Sequence, residues 1–193
     1  MLLLASTSPR RAELLRQIGV DFRPLAVAVD ESVLSGESPE AHVRRLALAK
    51  AREGAQLART GDVALGADTV LSLDGNIIGK PADFSAYAET MRRLSARTHE
   101  VFSAVALADA GGRAAVELCV TRVRFSALDE ASIAAYWASG EPVDKAGGYA
   151  IQGRAALFIE RIEGSYSGVM GLPLYETGRL LRAFQLLPHG IAP

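Results

Sequence analysis

Two arginines and a run of hydroxyls crowd the segment Ser6-Thr7-Ser8-Pro9-Arg10-Arg11, where the apolar stretch Leu2 to Ala5 gives way to Ser8-Pro9. A serine followed by proline at the first helical position starts helices, and a helix N-terminus offers free N–H groups and the positive end of the helix dipole. Such a junction suits an anion. The dipole contributes roughly 0.3 to 1 kcal/mol, whereas a guanidinium about 4 Å from a phosphate oxygen contributes roughly 4 kcal/mol at an effective dielectric near 20, before desolvation. Arg10 and Arg11 would therefore dominate affinity. The plainer alternative is a capped helix with solvated charges, against which stands the poor fit of arginine to a helix N-terminus.

Of the 21 basic residues only Lys50, Lys80 and Lys145 are lysines. A chain that uses arginine almost everywhere and lysine at these positions points to a need there for a compact ammonium that donates to several oxygens, with chance as the simple alternative. Lys50 lies four residues after Leu46 and seven after Val43, on the stripe that should face a core. An unpaired charge there is costly, so it must either snorkel out or meet an anion.

Asp68 sits in Val63-Ala64-Leu65-Gly66-Ala67-Asp68-Thr69-Val70-Leu71, a carboxylate inside a run apolar enough for a central strand. It needs a partner, as an ion pair, a metal ligand or a general base, and Gly66 lets another group approach the backbone closely. Asp30-Glu31 adds a second acidic site after Leu25 to Val29, though acids at such a loop are more often solvated. The stretches 144–153 and 164–173 are glycine-bearing without a G-x-x-x-x-G-K-[ST] or G-x-G-x-x-G pattern. Ordinary turn chemistry accounts for their glycines taken singly, whereas the Gln152 amide beside Gly153 can both donate to and accept from the edge of a base.

Strand-like and helix-like periods alternate along the chain and predict one α/β domain over 1–193 with a mixed central sheet flanked by helices. The first strand is Leu2 to Ala5, and Leu14, Leu15 and Ile18 form the stripe of a helix stopped by Gly19. A second helix starts at Ser38-Pro39 and carries Val43, Leu46, Ala47 and Leu57 inward. Val63 to Leu73 is a strand, turned by Asp74-Gly75 into Ile77-Ile78. Phe84, Tyr87, Met91 and Leu94 keep helical spacing, and Glu100 to Ala108 and Ala114 to Phe125 form an antiparallel hairpin that bounds a smaller lobe around 100–125. Ser126 precedes a helix through Trp137 that ends at Gly140, a strand lies near Ala155 to Ile162, and Pro173 opens a last helix through Leu174, Leu181 and Phe184. His189 to Pro193 reads as a loose tail.

Composition narrows the partner. The 193 residues are 49% hydrophobic and carry a net charge of -1, enough apolar mass for a core and no electrostatic reason for a nucleic-acid wrapper or a polybasic membrane anchor. Cys119 is the single cysteine, and His42, His99 and His189 are too scattered for a zinc cluster, which makes the cytoplasm the expected compartment. No apolar run approaches the roughly 18 residues of a membrane span. A small neutral-to-anionic ligand bound at a local site fits better.

Taken together, Ser8-Pro9-Arg10-Arg11, Ala67-Asp68-Thr69, Gly79-Lys80-Pro81, Asp144-Lys145-Ala146-Gly147, Gln152-Gly153 and Gly171-Leu172-Pro173-Leu174 resemble the Maf-like nucleotide pyrophosphatases. The motifs run in the expected order over nearly the whole chain. The resemblance implies a mixed α/β fold of the Maf/inosine-triphosphatase type, two lobes around a cleft, a homodimer, and hydrolysis of a nucleoside triphosphate to monophosphate and pyrophosphate. Arg11, Thr69, Gln152 and Gly164-Ser165-Tyr166 resemble the branch selective for dTTP and UTP rather than the 7-methyl-GTP branch. Gly168-Val169-Met170 departs from the family pattern, in which a larger residue precedes two aliphatics.

Cleavage between the α- and β-phosphates needs charge neutralised on the leaving pyrophosphate and a water aligned behind the α-phosphorus. The expected assignment gives Asp68, Lys50 and Lys80 the catalytic work, with Asp68 as general base or positioner of a metal-bound water. Arg10, Arg11, Lys50 and Lys80, with Lys145 and Ser8, would hold the substrate's phosphates, while Thr69 and Gln152 read uracil or thymine. Magnesium or manganese would be held by Asp68 and Glu31. Two rival readings come from other classes. A nucleotide-binding regulator of cell division would need no turnover, but gains nothing from a buried acid unless it also holds a metal. An RNA-binding module would need a basic face with stacking aromatics, which 6% aromatic content and balanced charge do not supply.

Overall fold

In a computed structural model that describes residues 1–187, the elements run β1 (Leu2–Leu4), α1 (Pro9–Gln17), β2 (Phe22–Pro24), α2 (Pro39–Gln56), β3 (Val63–Leu73), β4 (Asn76–Ile78), α3 (Phe84–Leu94), β5 (Thr98–Asp109), β6 (Ala114–Phe125), α4 (Glu130–Ala138), β7 (Ile159–Glu163), α5 (Tyr166–Met170) and α6 (Leu174–Ala183). Short 3₁₀ turns lie at Ala146–Gly148 and Arg154–Phe158. The tail expected at His189 to Pro193 lies outside the described residues.

One seven-stranded sheet has the order β2-β1-β3-β5-β6-β7, with β4 paired to β3. Strand β1 is parallel to β2 and β3, and the other pairs are antiparallel. The sheet is therefore mixed, as the sequence predicts. Strand β3 is apolar on both sides because both its faces are covered. Its Ala64 and Val70 pack with Val43, Ala47 and Ala51 of α2. On the opposite face Val63, Leu65 and Ala67 meet Leu14 and Leu15 of α1 and Leu180 and Leu181 of α6. Farther along, Leu71 and Leu73 join Tyr87, Met91 and Leu94 of α3 and Phe125 of β6 in a third cluster.

Helix α2 lies closest to β3 at Gly66, where an added Cβ would stand 2.3 Å from the Ala47 carbonyl oxygen and 2.4 Å from the Ala51 nitrogen. The group that Gly66 admits is thus a helix backbone, and the close approach lays Lys50 over the strand.

Several local expectations shift. Helix α4 begins at Glu130, capped by Asp129 accepting from the Ser132 N–H at 2.7 Å. Ser126 instead follows β6 directly, its N–H donating to the Phe158 carbonyl at 2.8 Å and its own carbonyl accepting from the Ala96 N–H at 2.9 Å. The strand expected near Ala155 begins only at Ile159, because Arg154–Phe158 coils into a 3₁₀ turn. Leu57 is 57% exposed, since α2 ends at Gln56 and Leu57 only caps it. Strand β2 and helix α5, three and five residues long, are too short to show a period and were not anticipated.

His99 is buried in the third cluster, its Nε2 2.8 Å from the Tyr149 hydroxyl and its Nδ1 unpartnered. Burial pushes the imidazole down to about 4. The unfolded chain then binds a proton near pH 6.5 that the folded chain refuses until about pH 4. Stability should fall as pH drops through that window, by up to about 3 kcal/mol from this residue. Urea unfolding of wild type and His99→Gln at pH 7 and pH 4.5 checks it: the wild type should lose more stability than the variant between the two.

Candidate active site

The outer edge of β3 is paired with β1 only as far as Leu65, where the Ala5 N–H also donates to the Leu65 carbonyl at 2.8 Å. Pairing resumes at Leu71 with Ile78 of β4. Between these points, residues 66–70 present an edge with no strand partner among the described residues. Consecutive residues of a strand point to opposite faces, so only at such a gap can one cavity reach both Asp68 and Thr69. A cavity of about 740 Å³ opens there. Ser8, Arg10, Arg11, Glu31, Lys50, Asp68, Thr69, Lys80, Lys145 and Gln152, all candidates from the sequence, line it.

On the α2 face, Lys50 Nζ donates to Asp68 Oδ1 at 2.8 Å and lies 2.6 Å from Glu31 Oε1. The charge that the sequence places on a core-facing stripe is satisfied inside the chain by two carboxylates, one buried and one exposed. The bonded Lys50 ammonium holds Glu31 below the usual carboxylate range against burial, with Lys80 and Arg11 adding to the effect. The loop that carries Glu31 is tied to α2 by Glu37, which accepts from Arg45 Nη2 at 2.8 Å and lies 2.9 Å from His42 Nδ1, while Arg45 also donates to the Ser32 carbonyl. Arg45 bonded to it keeps the Glu37 carboxyl far below its ordinary value.

On the other face, Thr69 Oγ1 lies 2.8 Å from the Oγ of Ser103, its cross-strand partner on β5. Arg11 Nε donates to the Gly171 carbonyl at 2.9 Å, and Arg11 Nη1 to Ser6 Oγ at 3.1 Å. Burial lowers the Arg11 guanidinium, Asp68 opposes that, and Arg10 adds to the drop; it remains a cation. Expected on the phosphates, Arg11 is thus anchored on the Thr69 side of the cavity, with its remaining N–H groups free to donate.

Ser8 is the N-cap of α1 and makes no side-chain cap bond, unlike Ser38, Asp83, Asp129 and Ser165 at their helices. The first-turn N–H groups and the Ser8 hydroxyl therefore remain for another partner. Across the cavity, Gly147 N–H donates to the Gly79 carbonyl at 3.0 Å, which fastens the turn after Lys145 beside Lys80. Lys145 Nζ donates to the carbonyls of Glu141 at 2.5 Å and Val143 at 3.3 Å, leaving one proton. Burial lowers the Lys145 ammonium, and Arg10 lowers it further. Exposed Lys80 and Gln152 make no side-chain hydrogen bond to another described residue.

Sequence reasoning missed Ser103, Ser6 and Glu141 as supports. Ser103 is one apolar-strand residue among many, and Glu141 follows the helix-ending Gly140 with no periodicity to mark it. Its only signal is proximity to Asp144-Lys145-Ala146-Gly147.

No group of three or more His, Cys, Asp or Glu side chains among the described residues could cage a metal. Asp68 and Glu31 nevertheless converge on the same ammonium, and a pair of carboxylates completed by phosphate oxygens and waters is a donor set that suits a hard divalent cation.

No helix among the described residues is long and apolar enough to cross a membrane. The family model for Maf-like proteins matches residues 1–184. Proteins named dTTP/UTP pyrophosphatase are 54% identical over 198 residues in Methylococcus capsulatus, spanning 100% of this chain and 96% of that protein, and 53% identical over 194 residues in Aromatoleum aromaticum, spanning 94% of each. The Staphylococcus aureus Ham1 protein shares the fold at a TM-score of 0.52 and 12% identity, covering 95% of this chain and 97% of that one. With its motifs spaced along one cavity and the match running nearly end to end, this chain belongs to the Maf-like protein family.

Proposed function

We propose that the protein hydrolyses dTTP, UTP and related pyrimidine nucleoside triphosphates between the α- and β-phosphates, giving a nucleoside monophosphate and pyrophosphate. One observation carries this reading: buried Asp68, ion-paired with Lys50, which also pairs with Glu31, shares its cavity with the cations Arg10, Lys80 and Lys145. A site that only binds the nucleotide would use the acid for no more than holding a metal, whereas a hydrolase needs a carboxylate to orient water and accept its proton. The names of the relatives supply the substrate class.

In this scheme Ser8, Arg10, Lys80, Lys145 and the first-turn N–H groups of α1 take up the triphosphate's charge. Lys50 fixes Asp68 through Oδ1 and leaves Oδ2 for the water. As the water oxygen bonds to the α-phosphorus, Asp68 takes the proton and the bond from the α-phosphorus to the bridging oxygen breaks, the electron pair leaving with pyrophosphate. Asp68 and Glu31 would be the residues to hold magnesium or manganese, which would supply further neutralisation of the polyphosphate when bound. Thr69, Arg11 and Gln152 form the wall that reads the base, through groups that can satisfy the N3–H and carbonyl oxygens of uracil or thymine. Cys119 is a free thiol, as suits a reducing compartment, and we place the reaction in the cytoplasm.

The deciding assay is product identification with UTP and dTTP in the presence of magnesium. Pyrophosphate and the monophosphate should appear in equal amounts, with solvent oxygen in the monophosphate; orthophosphate alone, or no turnover, would refute the scheme. Within it, Gln152→Ala should erode the preference for UTP and dTTP over GTP by about tenfold or more while changing kcat with the best substrate far less. Unchanged ratios of kcat/KM would take Gln152 out of base selection.

A further inference from the structure

We infer that Glu141, acting through Tyr136 and its own main chain, is the positioning residue that sets Gln152 and Lys145 in register with each other across the cavity. The inference rests on the base-reading role proposed for Gln152. Both flanks of Gln152 end on one carboxylate. On the near side, the Ala150 N–H donates to the Tyr136 hydroxyl at 3.0 Å, and that hydroxyl donates to Glu141 Oε1 at 2.7 Å. On the far side, the Arg154 N–H donates to Glu141 Oε2 at 3.0 Å and the Ala155 N–H to Oε1 at 3.5 Å. Gly153 lies flat against the same group: an added Cβ there would stand 2.2 Å from Glu141 Oε1 and 2.4 Å from Oε2. The Glu141 carbonyl meanwhile accepts from Lys145 Nζ.

A carboxylate that accepts only from two main-chain N–H groups and a phenol, with no side-chain cation on it, is not an ion pair. It is an acceptor-only hub, which an amide cannot replace because one of its two ends would face the donors with a donor. Burial works to raise the Glu141 carboxyl, yet the Arg154 N–H and the Tyr136 hydroxyl hold it below its ordinary value, so it stays an acceptor at neutral pH. Tyr136 packs against the ring of Phe158 at 5.3 Å between centroids, which fixes the hydroxyl's place independently of the ligand. The side chain that meets the base and the ammonium that meets phosphate therefore hang from one residue that touches neither.

The test is kcat and KM for dTTP, UTP, CTP and GTP, with thermal midpoints, in wild type, Tyr136→Phe, Glu141→Gln, Gln152→Ala and the double variant Tyr136→Phe/Gln152→Ala, all with magnesium. Tyr136→Phe keeps the ring and loses only the hydroxyl that joins the Ala150 N–H to Glu141 Oε1, so it decides the matter even should Glu141→Gln fail to fold. It should lower the ratio of kcat/KM for dTTP over CTP by about tenfold, chiefly through KM for dTTP, and Glu141→Gln should lower it further. In the Gln152→Ala background the same Tyr136→Phe change should leave the ratio within about twofold, because the reader it positions is gone. A ratio unmoved by Tyr136→Phe, or one that falls equally far without Gln152, would overturn the positioning role. A wild type that releases no pyrophosphate from dTTP would instead overturn the proposed function, and this inference with it.

Discussion

Asp68→Asn should lower kcat for dTTP and UTP by about 10³-fold while nucleotide affinity stays within about tenfold. Asparagine keeps the shape of the side chain, and its oxygen can still accept from Lys50, whose ammonium retains Glu31 as a second partner 2.6 Å away. The cation is thus not stranded, and folding should change little. What is lost is the basic oxygen: an amide nitrogen in its place donates, and cannot take a proton from water. Binding of the triphosphate depends mainly on Arg10, Lys80, Lys145 and the start of α1, none of which touches Asp68 through a hydrogen bond. Single-turnover rates beside equilibrium binding of the nucleotide, with a thermal melt as the folding control, separate the two effects. A variant that keeps kcat within tenfold would remove Asp68 from the mechanism.

The prominence of Asp68 was legible because a charge in a long apolar run has no inconspicuous explanation, and β3 was legible from Val63 to Leu73 because a strand buried on both faces is a continuous apolar run. Lys50 could be read the same way, since the 3.6-residue period of α2 put it among core positions. That these two residues meet was not legible. Their contact depends on the register of a helix against a strand 18 residues away, which Gly66 hints at without specifying. The gap in pairing between Leu65 and Leu71 was equally hidden, because it arises from where β1 and the antiparallel β4 each stop, two three-residue strands whose ends no periodicity marks. Without that gap, Asp68 and Thr69 could not serve one cavity.

The supports were harder still. Ser103 sits in a strand of alanines and valines and becomes notable only through its pairing with Thr69. Glu141 works largely by accepting from main-chain N–H groups, which every residue but proline has, so no charged side chain elsewhere in the sequence answers to it. Ser126 was misread for a related reason: serine caps a helix only when its carbonyl is free to accept the first helical bond, and here that carbonyl accepts from the Ala96 N–H.

Gly66→Ala should be the most damaging single-methyl change in the core. The new Cβ would meet the Ala47 oxygen and the Ala51 nitrogen, which are backbone atoms inside a helix and cannot rotate away, so α2 must lift from β3. Overpacking of this kind costs about 3 kcal/mol, which for a chain of this size lowers Tm by about 6 to 12 °C. Lys50 Cβ is itself 2.9 Å from the added atom, so the lift displaces the ammonium that fixes Asp68, and kcat should drop by about tenfold or more even well below Tm. Gly54→Ala is the natural control. It crowds the same helix against the methyl groups of Ala64 and Ala5, at 2.9 and 3.0 Å, about one to two turns from where Gly66 meets the helix, with Lys50 not among the atoms it would meet. The two variants should both lose stability in thermal melts, but only Gly66→Ala should lose turnover out of proportion to it. Equal loss of kcat in both would mean that α2 serves the site merely by being folded, and that the approach at Gly66 has no separate part in aiming Lys50.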